Sequence, residues 1–199
     1  MSMKNRKEDA FTGLEAAIVL IAFVVVAAVF SYVVLGAGFF TTQKSQQVVH
    51  AGVTQAASNI VVKGNVYGLN SPPAGTDIQY LQFDLGLAAG GLPVDVSKIQ
   101  MVYSTASVTP TTVTYNGPAT GPVITPADPT AGTWHVVGSS NAASPLIQEG
   151  QYFTIKMYVP VSNLQPREEF SLEIKPENGA ALGIVRTVPA GITPTTILF

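Results

Sequence analysis

Side chains able to do chemistry are few in this chain. His50 and His135 fall on different predicted elements, and with no cysteine neither zinc nor copper finds a recognisable ligand set. Asp77, Asp84, Asp95 and Asp128 are scattered over strand ends and loops, where turn chemistry accounts for carboxylates. Convergence of such loop acids on a structural calcium is the alternative they leave open. The hydroxyls of Thr109 to Thr114 read as strand surface, not as nucleophiles. Neither an enzyme nor a cofactor site is expected. One carboxylate stands in an unusual place. Glu15 is the only formal charge between Asp9 and Lys44, and it opens a long apolar run.

That run is the element everything else must be fitted around. Ala16 to Phe40 is 25 residues without a charge, longer than the 18 to 20 or so needed to cross a bilayer as a helix. As an ordinary secretory signal it is too long, since such h-regions run to about 15 residues before an A-x-A-like site. As a plain anchor it is adequate, and Lys4, Arg6 and Lys7 would hold the leader in the cytoplasm. Neither reading explains the block Ala10-Phe11-Thr12-Gly13-Leu14-Glu15. A hydrophilic leader, a small residue, Phe-Thr and then a carboxylate precede the greasy segment.

That order resembles the class III signal of type IV pilins and archaellins, the latter being subunits of archaeal motility filaments. The run Ile18-Val19-Leu20-Ile21-Ala22-Phe23-Val24-Val25-Val26 is similar to the archaellin core helix, and Phe11 to Leu14 carries Gly where archaellins carry one. The chain departs from many archaellins in having Asp9-Ala10 before the cut and a carboxylate at Glu15. The resemblance implies removal of residues 1–10 by a prepilin-type peptidase, with cleavage between Ala10 and Phe11. It also implies a membrane-held subunit delivered to an assembly platform with an ATPase, and polymerisation into an extracellular filament with copies of itself or related subunits.

Composition agrees with an exported structural protein. Charged residues are 11% of the 199, and mean hydropathy is +0.33. Without residues 1–10 the chain has seven bases and ten acids, a net charge of −3. No basic stripe is left for nucleic acid. The helix is expected to run from Phe11 past the bilayer to about Lys63, because Val49, Val53, Ala56 and Ile60 keep helical spacing and Gly64 makes a stop. From residue 64 to 199 alternation takes over: Leu81/Phe83/Leu85, Ile99/Met101/Tyr103, Phe153/Ile155/Met157/Val159 and Phe170/Leu172/Ile174. Seven or eight strands would form an antiparallel, immunoglobulin-like β-sandwich, so the fold class is α+β. Asn178-Gly179 signals a tight hairpin. Ile197, Leu198 and Phe199 should be a buried last strand.

Function then depends on where the helix goes. Fifteen large apolar side chains between Ala16 and Phe40, each worth roughly 1.5 to 3 kcal/mol when buried, forbid a free soluble monomer. Lipid and the interior of a helical bundle remain. The small residues Ala27, Ala28, Ser31, Gly36 and Gly38 are where helix backbones would approach, and Phe11 and Glu15 are the candidate N-terminal assembly residues, the new amine at Phe11 being the candidate partner of Glu15. A filament subunit is the expected function. An adhesive type IV-like pilin and a membrane-anchored binding module are its alternatives.

Overall fold

A computed structural model describes residues 3–57, 59–70, 76–118 and 120–199, with residues 3–12 and 57 described by their backbone alone. Two compact units result, Met1–Ala51 and Gly52–Phe199.

Helix α1, Met3–Ala57, is 55 residues long, about 80 Å at 1.5 Å per residue. No proline falls within it. Its Val-rich centre has modest helix propensity, but a segment destined for apolar surroundings must satisfy its own backbone, and a helix does so completely. The helix ends six residues short of the expected Lys63. Asn59 Nδ2 donates to the Ala56 carbonyl at 3.0 Å, taking up one of the orphan acceptors of the last turn. Beyond it the β-branched run Ile60-Val61-Val62 pairs with Leu87, Gly86 and Leu85 in a sheet. Ladder hydrogen bonds and burial of Ile60 outweigh the helical spacing. Gly64 is a bulge, not a helix stop: its φ of +82° lets the strand shift register between Lys63 and Tyr67.

Among the described residues the second unit is a β-structure of eleven strands, more than the seven or eight expected. They are β1 Ile60–Leu69, β2 Tyr80–Leu87, β3 Val94–Asp95, β4 Gln100–Thr105, β5 Thr111–Tyr115 and β6 Thr133–Ser139. After them come β7 Leu146–Ile147, β8 Tyr152–Tyr158, β9 Glu169–Lys175, β10 Leu182–Thr187 and β11 Thr195–Leu198. Nine form one sheet in the order β10-β9-β4-β5-β6-β8-β2-β1-β11, and β3 pairs with β7. Among the described residues every strand pair is antiparallel except β5 with β6. One core cluster gathers residues from both halves of the sheet, among them Met101, Leu172, Ile174, Phe83, Leu85, Trp134 and Phe153. The sandwich is therefore one long sheet wrapped around its own apolar face. Its two ends meet where Thr187 and Phe199 exchange backbone hydrogen bonds at 2.6 and 3.4 Å, which protects edges that would otherwise invite pairing.

Two local expectations are corrected. The β9–β10 hairpin exists, but its connection is residues 176–181 and not a two-residue turn. Of Ile197, Leu198 and Phe199 only Leu198 is buried, at 3% exposure; Ile197 is 40% and Phe199 77% exposed. Strand alternation explains it: Leu198 lies opposite Val66 on the core face, so Ile197, opposite Tyr67, takes the outer face.

Candidate assembly surface

Between Leu14 and Phe40 every large apolar side chain of α1 is at least half exposed, from 52% at Val34 to 80% at Tyr32. The apolar positions surround the helix instead of forming a stripe, which is the pattern of a helix buried on all sides. It is also long and apolar enough to cross a membrane, with a mean hydropathy of 3.0 over its best window.

Small residues shape this surface. At about 100° per residue, Ala27, Ser31 and Gly38 fall within roughly 40° of one another, while Ala28 points about a quarter-turn away and Gly36 lies opposite. Ser31 and Gly38 floor a shallow groove walled by Phe30, Val34, Leu35, Phe39 and Thr42. Such a hollow receives a side chain of a neighbouring helix. A Cβ added at Gly36 or Gly38 would meet nothing within 4 Å, so nothing within a single copy demands glycine there. Thr41 and Thr42 donate their hydroxyls to the carbonyls of Ala37 and Gly38, both at 2.8 Å, and so carry no unsatisfied polar group into apolar surroundings. Glu15 borders a second groove, with Ala16, Val19, Leu20, Phe23 and Val24. Ala10 and Phe11, where processing is expected, lie outside the residues whose side chains are described.

Within the β-unit no group of acids and histidines converges among the described residues. Each aspartate has its own protein partner. Asp77 accepts from Asn163, Asp84 from Thr154 Oγ1 at 2.6 Å, Asp95 from Ser97 at the start of a short 3-10 turn, and Asp128 pairs with Lys156. His50 is exposed on α1. His135 is buried at 2% exposure, opposite Lys156 in the β6–β8 ladder. Burial lowers its pKa below the ordinary value; the Ala127 carbonyl and Asp128 offset this in part, though neither ring nitrogen has a partner at hydrogen-bond geometry. Lys156 also sits 4.6 Å over the Tyr80 ring, which meets Tyr158 edge-on at 5.0 Å. Sequence reading missed this cluster, because its members are distant in the chain and only the strand register unites them.

Among the described residues, then, the large apolar side chains from Leu14 to Phe40 stay exposed and no three acids or histidines converge. The sequence model of archaeal-type flagellin matches residues 10–186. The chain belongs to that family. Probable flagellin 1 of Archaeoglobus fulgidus is 36% identical over 97% of this chain and 96% of its own length. Probable flagellin 1 of Aeropyrum pernix is 30% identical, covering 94% of this chain and 95% of the relative. The archaeal flagellum of Methanospirillum hungatei strain JF1 superimposes with a TM-score of 0.71 at 34% identity, over 94% of this chain and 99% of that one. The archaeal-type flagellin described here is thus a structural subunit of an extracellular motility filament and not an enzyme.

Proposed function

We propose that this flagellin is held in the cytoplasmic membrane by α1 and passes from lipid directly into the core of its filament. The observation that carries the reading is the helix itself: apolar on every side, exposed along its length, with hollows at Ser31 and Gly38 that its own chain leaves unfilled. Lipid tails are as apolar as Leu, so the transfer gains little from burial. Packing of shaped helices must supply the association. Loss of a subunit into water would cost on the order of 20 to 45 kcal/mol for the fifteen large side chains between Ala16 and Phe40. Addition at a membrane platform driven by an ATPase fits this imbalance, because the subunit never has to be soluble. In this reading residues 1–10 are removed by a prepilin-type peptidase, residues 11–57 are the core helix, and the β-unit forms the outer surface.

N-terminal sequencing of filaments sheared from cells, imaged in parallel by electron microscopy, tests the scheme. The mature protein should begin at Phe11. Ala10→Leu should leave a full-length, membrane-bound precursor and no filaments, because the residue before the scissile bond is small. A filament protein beginning at Met1 would overturn it.

A further inference from the structure

Glu15 and Lys44 are the only charged side chains between Ala10 and Val62. They have opposite sign, and among the described residues neither has an ionic partner; Lys44 Nζ reaches only Gln47 Oε1, at 3.3 Å. In an unbroken α1 they are 29 positions apart, which is about 43 Å along the axis. The same count brings them within roughly 20° of a whole number of turns, so both leave the helix on one side. A bilayer with its headgroups is about 40 to 45 Å thick. In the membrane each charge therefore has a wet interface of its own, Glu15 on one side and Lys44 on the other. A filament core has no headgroups, and an isolated charge carried into it would be costly.

We propose that Glu15 of one copy pairs with Lys44 of another, and that this pair sets the axial register of neighbouring core helices at an offset of about 43 Å. The inference rests on α1 forming the filament core. Only a second copy can bring these two charges together, because the chain's own Glu15 and Lys44 are held a membrane's width apart. Their common side fits a rotationally symmetric bundle: side chains that face the filament axis at one level meet there even when they come from different copies. Like helices at equal level would set Glu15 against Glu15 and Lys44 against Lys44, and other shifts would set them against uncharged side chains, so the pair selects one register from many that are equally greasy.

The test is a double-mutant cycle in cells: Glu15→Gln, Lys44→Gln, and both together, with processed subunit in membranes and sheared filament measured for each. Removing one partner strands the other, whereas removing both strands neither. Each single variant should show a normal processed membrane pool but lose at least roughly tenfold in filament yield, and the double variant should recover to within roughly threefold of wild type. Lys44→Arg should assemble like wild type. Wild-type yield from Lys44→Gln, or a double variant no better than the weaker single, overturns the pairing. Loss confined to Glu15→Gln does so too, and assigns the carboxylate to another cation such as the new N-terminal amine. If Glu15→Gln is not processed, Lys44 decides: equal yields from Lys44→Gln and Lys44→Arg overturn the pairing, and a loss confined to Gln upholds the need for a cation there. Ala27→Leu, run alongside, separates the two ideas. Sensitivity to Ala27→Leu without sensitivity to charge leaves the core helix standing and removes the pair, while indifference to both removes the core helix itself.

Discussion

The two halves of this molecule handle the same substance, apolar surface, in opposite ways. The β-unit hides it: Trp134, Phe83, Phe153, Phe170 and their neighbours are 0 to 1% exposed within one chain. Helix α1 displays it, with Phe23 at 74% and Phe30 at 70% exposure. The first is a finished fold, and on the proposed reading the second is half of an interface. Alternation every second residue gives a sheet one wet face and one dry face. A helix apolar on all sides has no wet face to offer, so its solvent must be lipid or its own copies.

If the halves are that independent, the largest effect comes from separating them. Residues 59–199, produced alone, should be soluble and monomeric and should melt cooperatively, since their core is complete without α1. The full-length chain should require detergent or lipid, and the fragment should yield no filament at all. Sedimentation and thermal circular dichroism of the two proteins check this. Aggregation of the fragment would show that the β-unit leans on the helix.

Within the β-unit, Trp134→Ala should be the costly change, about 3 to 5 kcal/mol. Trp134 is fully buried and packs against Tyr115 with ring centroids 4.7 Å apart. Its Nε1 makes no hydrogen bond, so Trp134→Phe should cost clearly less. Melting of the isolated β-unit measures both. Membrane insertion of the full-length variants should be unchanged, and a loss of insertion would contradict the division of labour.

The reasons for what was legible in sequence follow from that division. An uncharged run from Ala16 to Phe40 and the alternation of Phe170, Leu172 and Ile174 are local patterns, and both elements stand where they were expected. The helix end was misplaced because Ile60 keeps helical spacing and strand propensity at once, and only its partner Leu87, far along the chain, decides between them. The closure at Thr187 and Phe199, the parallel contact of β5 with β6, and the outward turn of Ile197 are long-range facts of the same kind. At the assembly surface the small residues were visible as types. Their grouping, Ala27 with Ser31 and Gly38 but apart from Gly36, needed helical angles.

That grouping yields a subtler way to sharpen the comparison. Ala27→Leu and Ala28→Leu both raise hydrophobicity, so membrane content should hold. In a packed bundle each added side chain costs about 1 to 3 kcal/mol, repeated in every subunit. Filaments of either variant should be sparse or shear readily, and Ala27, on the grooved side with Ser31 and Gly38, should be the more sensitive. Equal, wild-type filament yields from both would argue for a simple anchor.

The smallest effect expected is one of pH, and it belongs to the β-unit alone. His135 is buried, so its imidazolium form is disfavoured and its folded pKa lies below the ordinary 6.5. Lys156 opposite it adds repulsion, and Asp128, pinned to Lys156, offsets part of that. The unfolded chain therefore binds a proton at His135 more readily than the folded one. Stability is fully present above the unfolded pKa and falls as pH drops through it toward the folded value, where the loss levels off. The isolated β-unit should melt at a lower temperature at pH 5 than at pH 7.5. Carboxylates titrating nearby would contribute a pH dependence of their own, so the decisive comparison is with His135→Gln, which cannot take up the proton. Its melting temperature should change less between the two pH values than that of the parent. An identical profile in the parent and in His135→Gln would mean that the buried ring takes no part in the acid response.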